Sequence, residues 1–576
     1  MTARRLFLRM SLSLGGAVLG AHVAQSQAIE EHPAPILHGP ALTQLEAGAL
    51  LRGSTDATPF GVNLSGLMVV DAHEGAAAQT KNGAPTKTGT GIDLTRAGPV
   101  ASGLQAALAP FVGQPLSYKA IAAIEAAITR HYRENGRALV LVSVPPQEIT
   151  AGVLQVNVNT FRLEAPPRLV GDATDAAHVT AQIRLTPGQE VDTARLMEDV
   201  AWLNLNPFRQ VAVAFEPGQA ADGTLLTLQV QSRRPWSAYA GISNAGSQET
   251  GMARLMAGFN VSALPWQDQQ LSYQINISPE SRGLWDTFGQ KGYISHGLTY
   301  FAPITLGNGL RFKATAGLTH VSSFAVSGDF ATGTTTDGQS FELAFPLPRR
   351  TGAWVLVPEL YLGLEHNAFA SRKLFGGLDY AQEAAELSHV ELGFRSSLNG
   401  RLFGRPTQGD VDVSVVAGHQ DGADDYRFVK FKITQDIGLQ GGQQIALRLS
   451  GQKAQGPLHP IDQLGLGGAS TVRGYAANAV SAASATSLSV EYRLRPLDFP
   501  LAGQAAKLRP HAFLDLGHAA ATDVTPAADL ASVGIGGTVS IGESWETSFT
   551  LADALKAAGE VKSGDISVAL RLIARF

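Results

Sequence analysis

Ile566-Ser567-Val568-Ala569-Leu570-Arg571-Leu572-Ile573-Ala574-Arg575-Phe576 decides how this chain is read. Ile566, Val568, Leu570, Leu572, Ala574 and Phe576 fall on one row; Ser567, Ala569, Arg571, Ile573 and Arg575 fall on the other. A period of two puts the rows on opposite faces of a strand. The pattern recurs upstream. Leu488, Val490, Tyr492 and Leu494 alternate with Ser489, Glu491, Arg493 and Arg495, and Leu271, Tyr273, Ile275 and Ile277 with Ser272, Gln274, Asn276 and Ser278. Similar segments start near 237, 251, 292, 310, 340, 353, 386, 410, 426, 443, 509, 531 and 544, which makes sixteen in all. A soluble sandwich alternates too, but it covers one apolar face and wets the other. Here the second row is often charged, and no further layer of sequence is available to cover it. A transmembrane barrel uses both rows, the apolar one toward lipid and the polar one toward a wet lumen. About ten residues at 3.3 Å, tilted near 45°, match an apolar band roughly 25 Å tall. The even strand number and Phe576 on the lipid-facing row agree with an outer-membrane barrel over 236–576.

The composition suits this reading. The chain has 576 residues, net charge −5, 16% charged residues, 62 glycines and no cysteine. Charge is low against the roughly 25% of soluble domains. Zero Cys excludes thiol catalysis, Fe–S clusters and Cys-ligated zinc, and the weak negative charge argues against a nucleic-acid partner. No apolar run of about 18 residues offers a spanning helix.

Upstream of the barrel the patterns change. Arg4, Arg5 and Arg9 precede the apolar run Met10–Ala24, and Ser26-Gln27-Ala28 offers a cleavage site, so 1–28 reads as a secretory signal. Arg4-Arg5-Leu6-Phe7-Leu8-Arg9 leaves twin-arginine export as an alternative. Residues 29–56 are a Pro-containing lead-in, with a faint helical face in Pro40–Arg52. Residues 57–164 and 165–235 then repeat the order β-α-α-β-β, as two small α+β units. Helices are expected over Pro99–Phe111, after the cap Ser117, over Ala176–Arg184 and from Asp192; the Gly/Ala/Thr/Lys-rich stretch 76–98 reads as a loop.

The residues suggest no enzyme. P-loop, dinucleotide, nucleophile-elbow and H-E-x-x-H patterns are missing. His511, Asp515 and His518 lie close, but strand parity turns His518 away from the other two, so neither a metal nor a cofactor is expected. The distinctive stretch is the long gap 453–486, carrying Gly465-Leu466-Gly467-Gly468-Ala469-Ser470-Thr471-Val472-Arg473-Gly474-Tyr475. In the next strand but one, His511, Phe513, Asp515 and Gly517 share the inward row. A carboxylate inside a barrel needs a partner or water. A loop folded inward could bring Arg473 to Asp515 as a two-pronged pair, with Gly517 leaving room and Tyr475 packing on Phe513. In a wet lumen such a pair would contribute only about 1 kcal/mol.

These residues resemble a family. Val472-Arg473-Gly474-Tyr475 is similar to the V-R-G-Y/F motif of the sixth extracellular loop, and Phe513-Leu514-Asp515-Leu516-Gly517 to the F-x-D-x-G strand motif, of barrel transporters that carry POTRA (polypeptide-transport-associated) domains. With two POTRA-sized units, the chain resembles the two-partner secretion transporters, the haemolysin-activator-like TpsB family. Pro146-Gln147 with Gly152 looks like the first POTRA pattern. Leu203 to Arg209, including Asn204, Asn206, Pro207 and Phe208, looks like the second, and Arg233-Arg234-Pro235-Trp236 with Tyr239-Ala240-Gly241 and Asn244 like the entry to the barrel. The 76–98 loop and the faint lead-in helix depart from the family, which leaves a barrel plug in 29–56 open.

The resemblance implies a 16-stranded barrel in a Gram-negative outer membrane, with two periplasmic POTRA domains. It implies export of one large unfolded exoprotein, an adhesin or haemolysin, driven by cargo folding rather than ATP. The implied partners are that cargo, outer-membrane lipid and the barrel assembly machinery. Pro146, Gln147, Gly152, Asn204, Asn206, Pro207, Phe208 and Arg209 would mark cargo-binding surfaces. The alternatives are an assembly factor of the same superfamily and a passive porin.

Overall fold

The computed structural model describes residues 54–576 apart from 72–89, 98–102, 173–174, 221, 263–265, 282–284, 286–288, 308, 351 and 522–525. The signal, most of the lead-in and its expected helix lie outside the described residues.

The first unit contains β1 (Gly66–Asp71), β2 (Gly91–Arg96), α1 (Leu104–Leu108), α2 (Tyr118–Glu134), β3 (Val140–Ser143) and β4 (Val153–Thr160). Ser117 accepts a hydrogen bond from the Ala120 N–H at 3.1 Å and starts α2. Ile124, Ile128 and Tyr132 recur on one helical face and are buried against Val69, Leu154 and Val156. The sheet runs β2-β1-β4-β3. Its β2 corrects the loop expected over 76–98: Gly91 to Asp93 pair in parallel with Gly66 to Met68. Gly-Ile-Asp-Leu-Thr-Arg is too polar to look like a strand alone, and the neighbouring β1 supplies its ladder.

The second unit contains β5 (Arg162–Leu163), β6 (Arg168–Gly171), α3 (Ala176–Ala181), α4 (Thr193–Leu203), β7 (Arg209–Pro217) and β8 (Gly223–Ser232). Asp192 caps α4 through the Arg195 N–H at 3.0 Å, and Leu196, Val200 and Leu203 pack with Val211, Leu226 and Leu228. The units are stitched by Arg137, paired with Glu190 at 2.7 Å and Asp192 at 3.1 Å.

The barrel follows as β9 (Trp236–Ser243), β10 (Arg254–Ser262), β11 (Gln270–Ile277), β12 (Gly292–Thr305), β13 (Arg311–Ser327), β14 (Phe330–Pro346), β15 (Trp354–Phe375), β16 (Leu378–Leu402), β17 (Arg405–Gln420), β18 (Tyr426–Gly438) and β19 (Gln444–Ala454). After the inner hairpin β20 (Leu464–Leu466) and β21 (Val480–Ala482) come β22 (Ala485–Arg493), β23 (Leu497–Leu501), β24 (Gln504–Ala519), β25 (Ala528–Ile541), β26 (Trp545–Ala554) and β27 (Ile566–Arg575). β22 and β23 both pair with β24 and are one strand broken at Leu494-Arg495-Pro496, so the closed antiparallel wall has sixteen strands among the described residues. With both units on the periplasmic side, β9 starts there and strands alternate direction. The loop 455–484 between the eleventh and twelfth strands is therefore extracellular in origin.

Alternation holds strand by strand. Val390, Leu392 and Phe394 face out and are exposed, while Leu387 and His389 are buried on the inner row. Val568, Leu570 and Leu572 likewise face out, and Ile573 is buried against Tyr239 and Met256. Strand lengths depart from the uniform ten. β9 has 8 residues and β27 has 10, but β15 and β16 have 22 and 25. The seam between β27 and β9 has only five residue pairs, Arg571↔Ser243 to Arg575↔Tyr239. Asn244 extends it with its side-chain amide, bonding Val568 O at 2.8 Å and the Leu570 N–H at 2.7 Å.

Candidate functional site

The long loop folds into the lumen and its tip meets β22, β24 and β25. Gly467 and Gly468 adopt φ of 111° and 84°, and Gly474 adopts 99°. Thr471 Oγ1 ties the turn, accepting from the Gly467 N–H at 2.8 Å. This geometry aims Arg473 at the wall. Its Nε and Nη2 donate to Asp515 Oδ2 and Oδ1 at 2.7 and 2.8 Å, and its backbone N–H adds a third bond at 3.1 Å. Nη1 donates to Glu491 at 3.0 Å and Nη2 to Ser489 at 3.1 Å, while Ser489 Oγ donates to Asp515 at 2.6 Å. The guanidinium lies 3.5 Å over the Phe513 ring.

Both ends of the pair are removed from water. Asp515 is 0% exposed and the Arg473 side chain 14%. This corrects the expectation of a screened pair: Val472 and Leu466 pack down around it, and what the loop excludes is water. Gly517 leaves room for the loop, since a Cβ there would lie 2.9 Å from Val472 Cγ2. A Cβ on Gly474 would come within 3.3 Å of Ala552. Tyr475 does not pack on Phe513, because Arg473 occupies that ring. Its hydroxyl instead donates to Ala531 O at 2.9 Å and Lys556 O at 2.7 Å. Of the His511–Asp515–His518 group, His518 faces away and bonds Asp529 at 2.7 Å.

The inner wall carries the charges expected there, largely in pairs. Lys430 meets Glu391 at 2.8 Å, Arg395 meets Glu342 at 2.7 Å and Arg493 meets Asp436 at 3.1 Å. Glu491 bridges Arg493 and Arg473. Sequence parity puts Ser489 and Glu491 on the inner row, but nothing in the spacing ties them to the loop.

The residues expected to mark cargo surfaces take other places. Gln147 accepts from the Gln155 N–H and donates to Gln155 O, both at 2.7 Å, and so completes the β3–β4 turn after Pro146. Gly152 has φ 73° and abuts Asn63 O and Ser65. Asn204 bonds the Val211 N–H at 2.7 Å and Val211 O at 3.0 Å. Asn206, Phe208 and Arg209 are buried where the second unit meets the barrel, with Pro207 partly buried between them. Arg209 pairs with Asp268 of the β10–β11 turn at 2.8 Å, and Asn206 donates to it at 3.1 Å. Gln147, Gly152 and Asn204 thus shape turns and Asn206, Phe208 and Arg209 the buried junction, while Pro146 stays exposed.

His178 completes that contact at 2.6 Å from Asp268. Burial pushes the Asp268 carboxyl up, but the His178 bond, the Arg209 charge and the Asn206 bond together hold it below the usual range. A second contact joins fully buried Asp199 to Arg184 and to Arg311 of β13, each at 2.6 Å. The sequence gives no sign that Asp199 and Asp268 seat the second unit on the barrel mouth.

A sixteen-strand outer-membrane barrel with an inward-anchored loop and two α+β units at its periplasmic mouth defines the class: a POTRA-bearing barrel. Residues 383–539 match the haemolysin secretion/activation protein family ShlB/FhaC/HecB, and 91–160 match the ShlB-type POTRA domain. These matches make the two segments similar to haemolysin secretion/activation proteins and to their POTRA domain. Among curated proteins it is similar to the heme/hemopexin transporter protein HuxB of Haemophilus influenzae, 24% identical over 165 residues, 28% of this chain and 29% of that protein. The matched segment thus spans less than a third of the curated relative. Among solved structures the fold matches CdiB from Escherichia coli, with TM-score 0.67, 17% identity and coverage of 91% and 92% of the two chains. CdiB from Acinetobacter baumannii follows, with TM-score 0.65, 15% identity and coverage of 94% and 95%.

Proposed function

We propose that this protein exports one large unfolded exoprotein through the outer membrane by two-partner secretion. The observation that carries the reading is the loop tip pinned inside a sixteen-strand pore, beside two POTRA-type units at the inner mouth. A passive porin has no need of a buried five-residue anchor for one loop. An extended cargo is taken up on the units by strand addition. The open edges β3 and β6 serve this, each presenting an exposed apolar residue, Leu141 at 54% and Val170 at 45%. The paired charges of the wall keep a passing chain hydrated without holding it. With no nucleotide motif in the sequence, folding of the cargo outside supplies the direction. Outer-membrane lipid surrounds the barrel, and the barrel assembly machinery inserts it. Co-expression with a candidate exoprotein, such as a very large β-repeat protein encoded beside it, tests the reading. Release to the medium should depend on this chain; equal release without it overturns the proposal.

A further inference from the structure

The loop touches the wall at a second place, far from Arg473. Its descending arm turns at Pro460–Asp462 and lies against β16, β17 and β18. There Leu458 and Ala483 pack with Ala385, Leu387, Val416 and Phe428. Among these apolar groups sits the Asp462 carboxylate, 7% exposed. Tyr426 of β18 donates to it, and His389 Nε2 of β16 lies 3.1 Å away. His389 Nε2 and the Tyr426 hydroxyl are themselves 2.9 Å apart, and Gln452 of β19 holds the Asp462 carbonyl at 2.7 Å. Glu365 stands 3.9 Å from the other nitrogen of His389. A buried carboxylate persists only with partners, and all of these partners come from the wall. The tip, by contrast, rests on β22, β24 and β25, with no side chain shared between the two clusters.

We infer that Asp462, His389 and Tyr426 form a second lock, which holds the descending arm independently of the Arg473–Asp515 anchor. The loop therefore has two separately releasable holds. One can open while the other keeps the loop in the pore, which gives an intermediate with the tip free and the arm retained. Asp462, His389 and Tyr426 act as positioning residues. The lock is a property of the loop itself; only its consequence for export rests on the proposed secretion role.

The lack of cysteine in the chain makes the test clean. Val416→Cys places a thiol on the wall beneath the arm, and Ser532→Cys places one beneath Gly474; both positions are buried. Each reporter is combined with Asp462→Asn, Tyr426→Phe or Arg473→Ala in the full chain, and maleimide labelling is timed on barrels shown to be folded by heat-modifiable gel mobility. Asp462→Asn should speed labelling at Val416→Cys by about tenfold and change Ser532→Cys by less than about twofold. Arg473→Ala should do the reverse. Tyr426→Phe, which removes only a hydroxyl, should act as a weaker Asp462→Asn and carries the test should that variant not insert. Unchanged protection at Val416→Cys in both wall and loop variants overturns the lock. Release of both reporters by either substitution overturns its independence. Export by the same variants is scored separately, so a failed secretion role leaves the labelling result standing.

Discussion

The loop tip and the barrel mouth are both held by buried arginine–carboxylate clusters, but they are finished differently. At the tip, Nε, Nη1, Nη2 and the backbone N–H of Arg473 all have acceptors. At the mouth, Arg209 Nε and Nη1 and Arg311 Nε are buried without a hydrogen-bond partner among the described residues. Each such orphan costs on the order of 1–3 kcal/mol. A fully satisfied network specifies one arrangement, whereas a partly satisfied one tolerates neighbouring arrangements of similar energy. The Arg473 guanidinium is thus the more tightly specified of the two arginine contacts, and the seat of the second unit is the more adjustable one.

The largest effect that would break this contrast lies at the tip. Arg473→Ala and Asp515→Ala each strand a buried charge, a loss of about 3–5 kcal/mol. Both should abolish most export, measured as secreted cargo per inserted barrel. The double variant should be little worse than either single one, and Arg473→Lys should recover little because lysine lacks the planar fork. Wild-type export by both alanine variants would reduce Arg473 to an ordinary loop residue.

Gly474→Ala comes next. The backbone φ of 99° disfavours a Cβ, and the loop would lose about 1–3 kcal/mol. Limited proteolysis of the extracellular loops should reveal earlier cleavage in this variant. Gly517→Ala should be milder, since its backbone needs no positive φ and chiefly the Val472 methyl must shift.

At the mouth, Asp268→Asn should increase protease cutting between the second unit and the barrel by a few-fold, less than the tip variants perturb the loop. Asp268 is depressed in the folded chain, so its stabilisation is present above its unfolded pKa of about 3.9 and is lost as pH falls through the lower folded value. The Asp268-dependent difference in cutting should therefore persist from neutral pH to about pH 4, shrink below that and vanish once pH is below the folded value. A difference that disappears near neutrality would show that Asp268 is not the group holding the seat.

The smallest effects are expected on the open edges. Leu141→Lys or Val170→Lys should weaken binding of an unfolded cargo fragment severalfold and leave loop protection unchanged, because neither residue touches the barrel anchors. Binding by both variants at full strength would move recognition away from these edges.

Much of this architecture is legible in the sequence because its causes are local. Period two survives in the membrane part of the barrel strands, where lipid lies on one side and polar or charged neighbours on the other. Arg473 and Asp515 could be matched because parity alone puts Asp515 inside and a long Gly-rich gap needs an anchor. The rest depends on partners brought from afar. Nothing in Gly91–Arg96 marks a strand until β1 lies beside it. Asp268 and Arg209 are neighbours only after a unit and a barrel dock. Asp462 and His389 are 73 residues apart and meet only because the loop folds back into the lumen. The extra length of β15 and β16 was hidden too, because above the bilayer the outer row turns polar and alternation fades.

That extra length shapes the rim. At about 3.3 Å per residue and a tilt near 40°, the 25 residues of β16 rise about 60 Å, against about 20 Å for the 8 residues of β9 and an apolar band of roughly 25 Å. Strands are longest at β15 and β16 and shortest at β9 to β11 and at β26 and β27, on the two sides of the seam. The cylinder is thus cut obliquely, like a quill: a tall wall stands on one side, and the weakest closure, five residue pairs wide, lies at the low side. Under the proposed role, a polypeptide leaving this mouth would meet protein along one flank well after it had cleared lipid on the other.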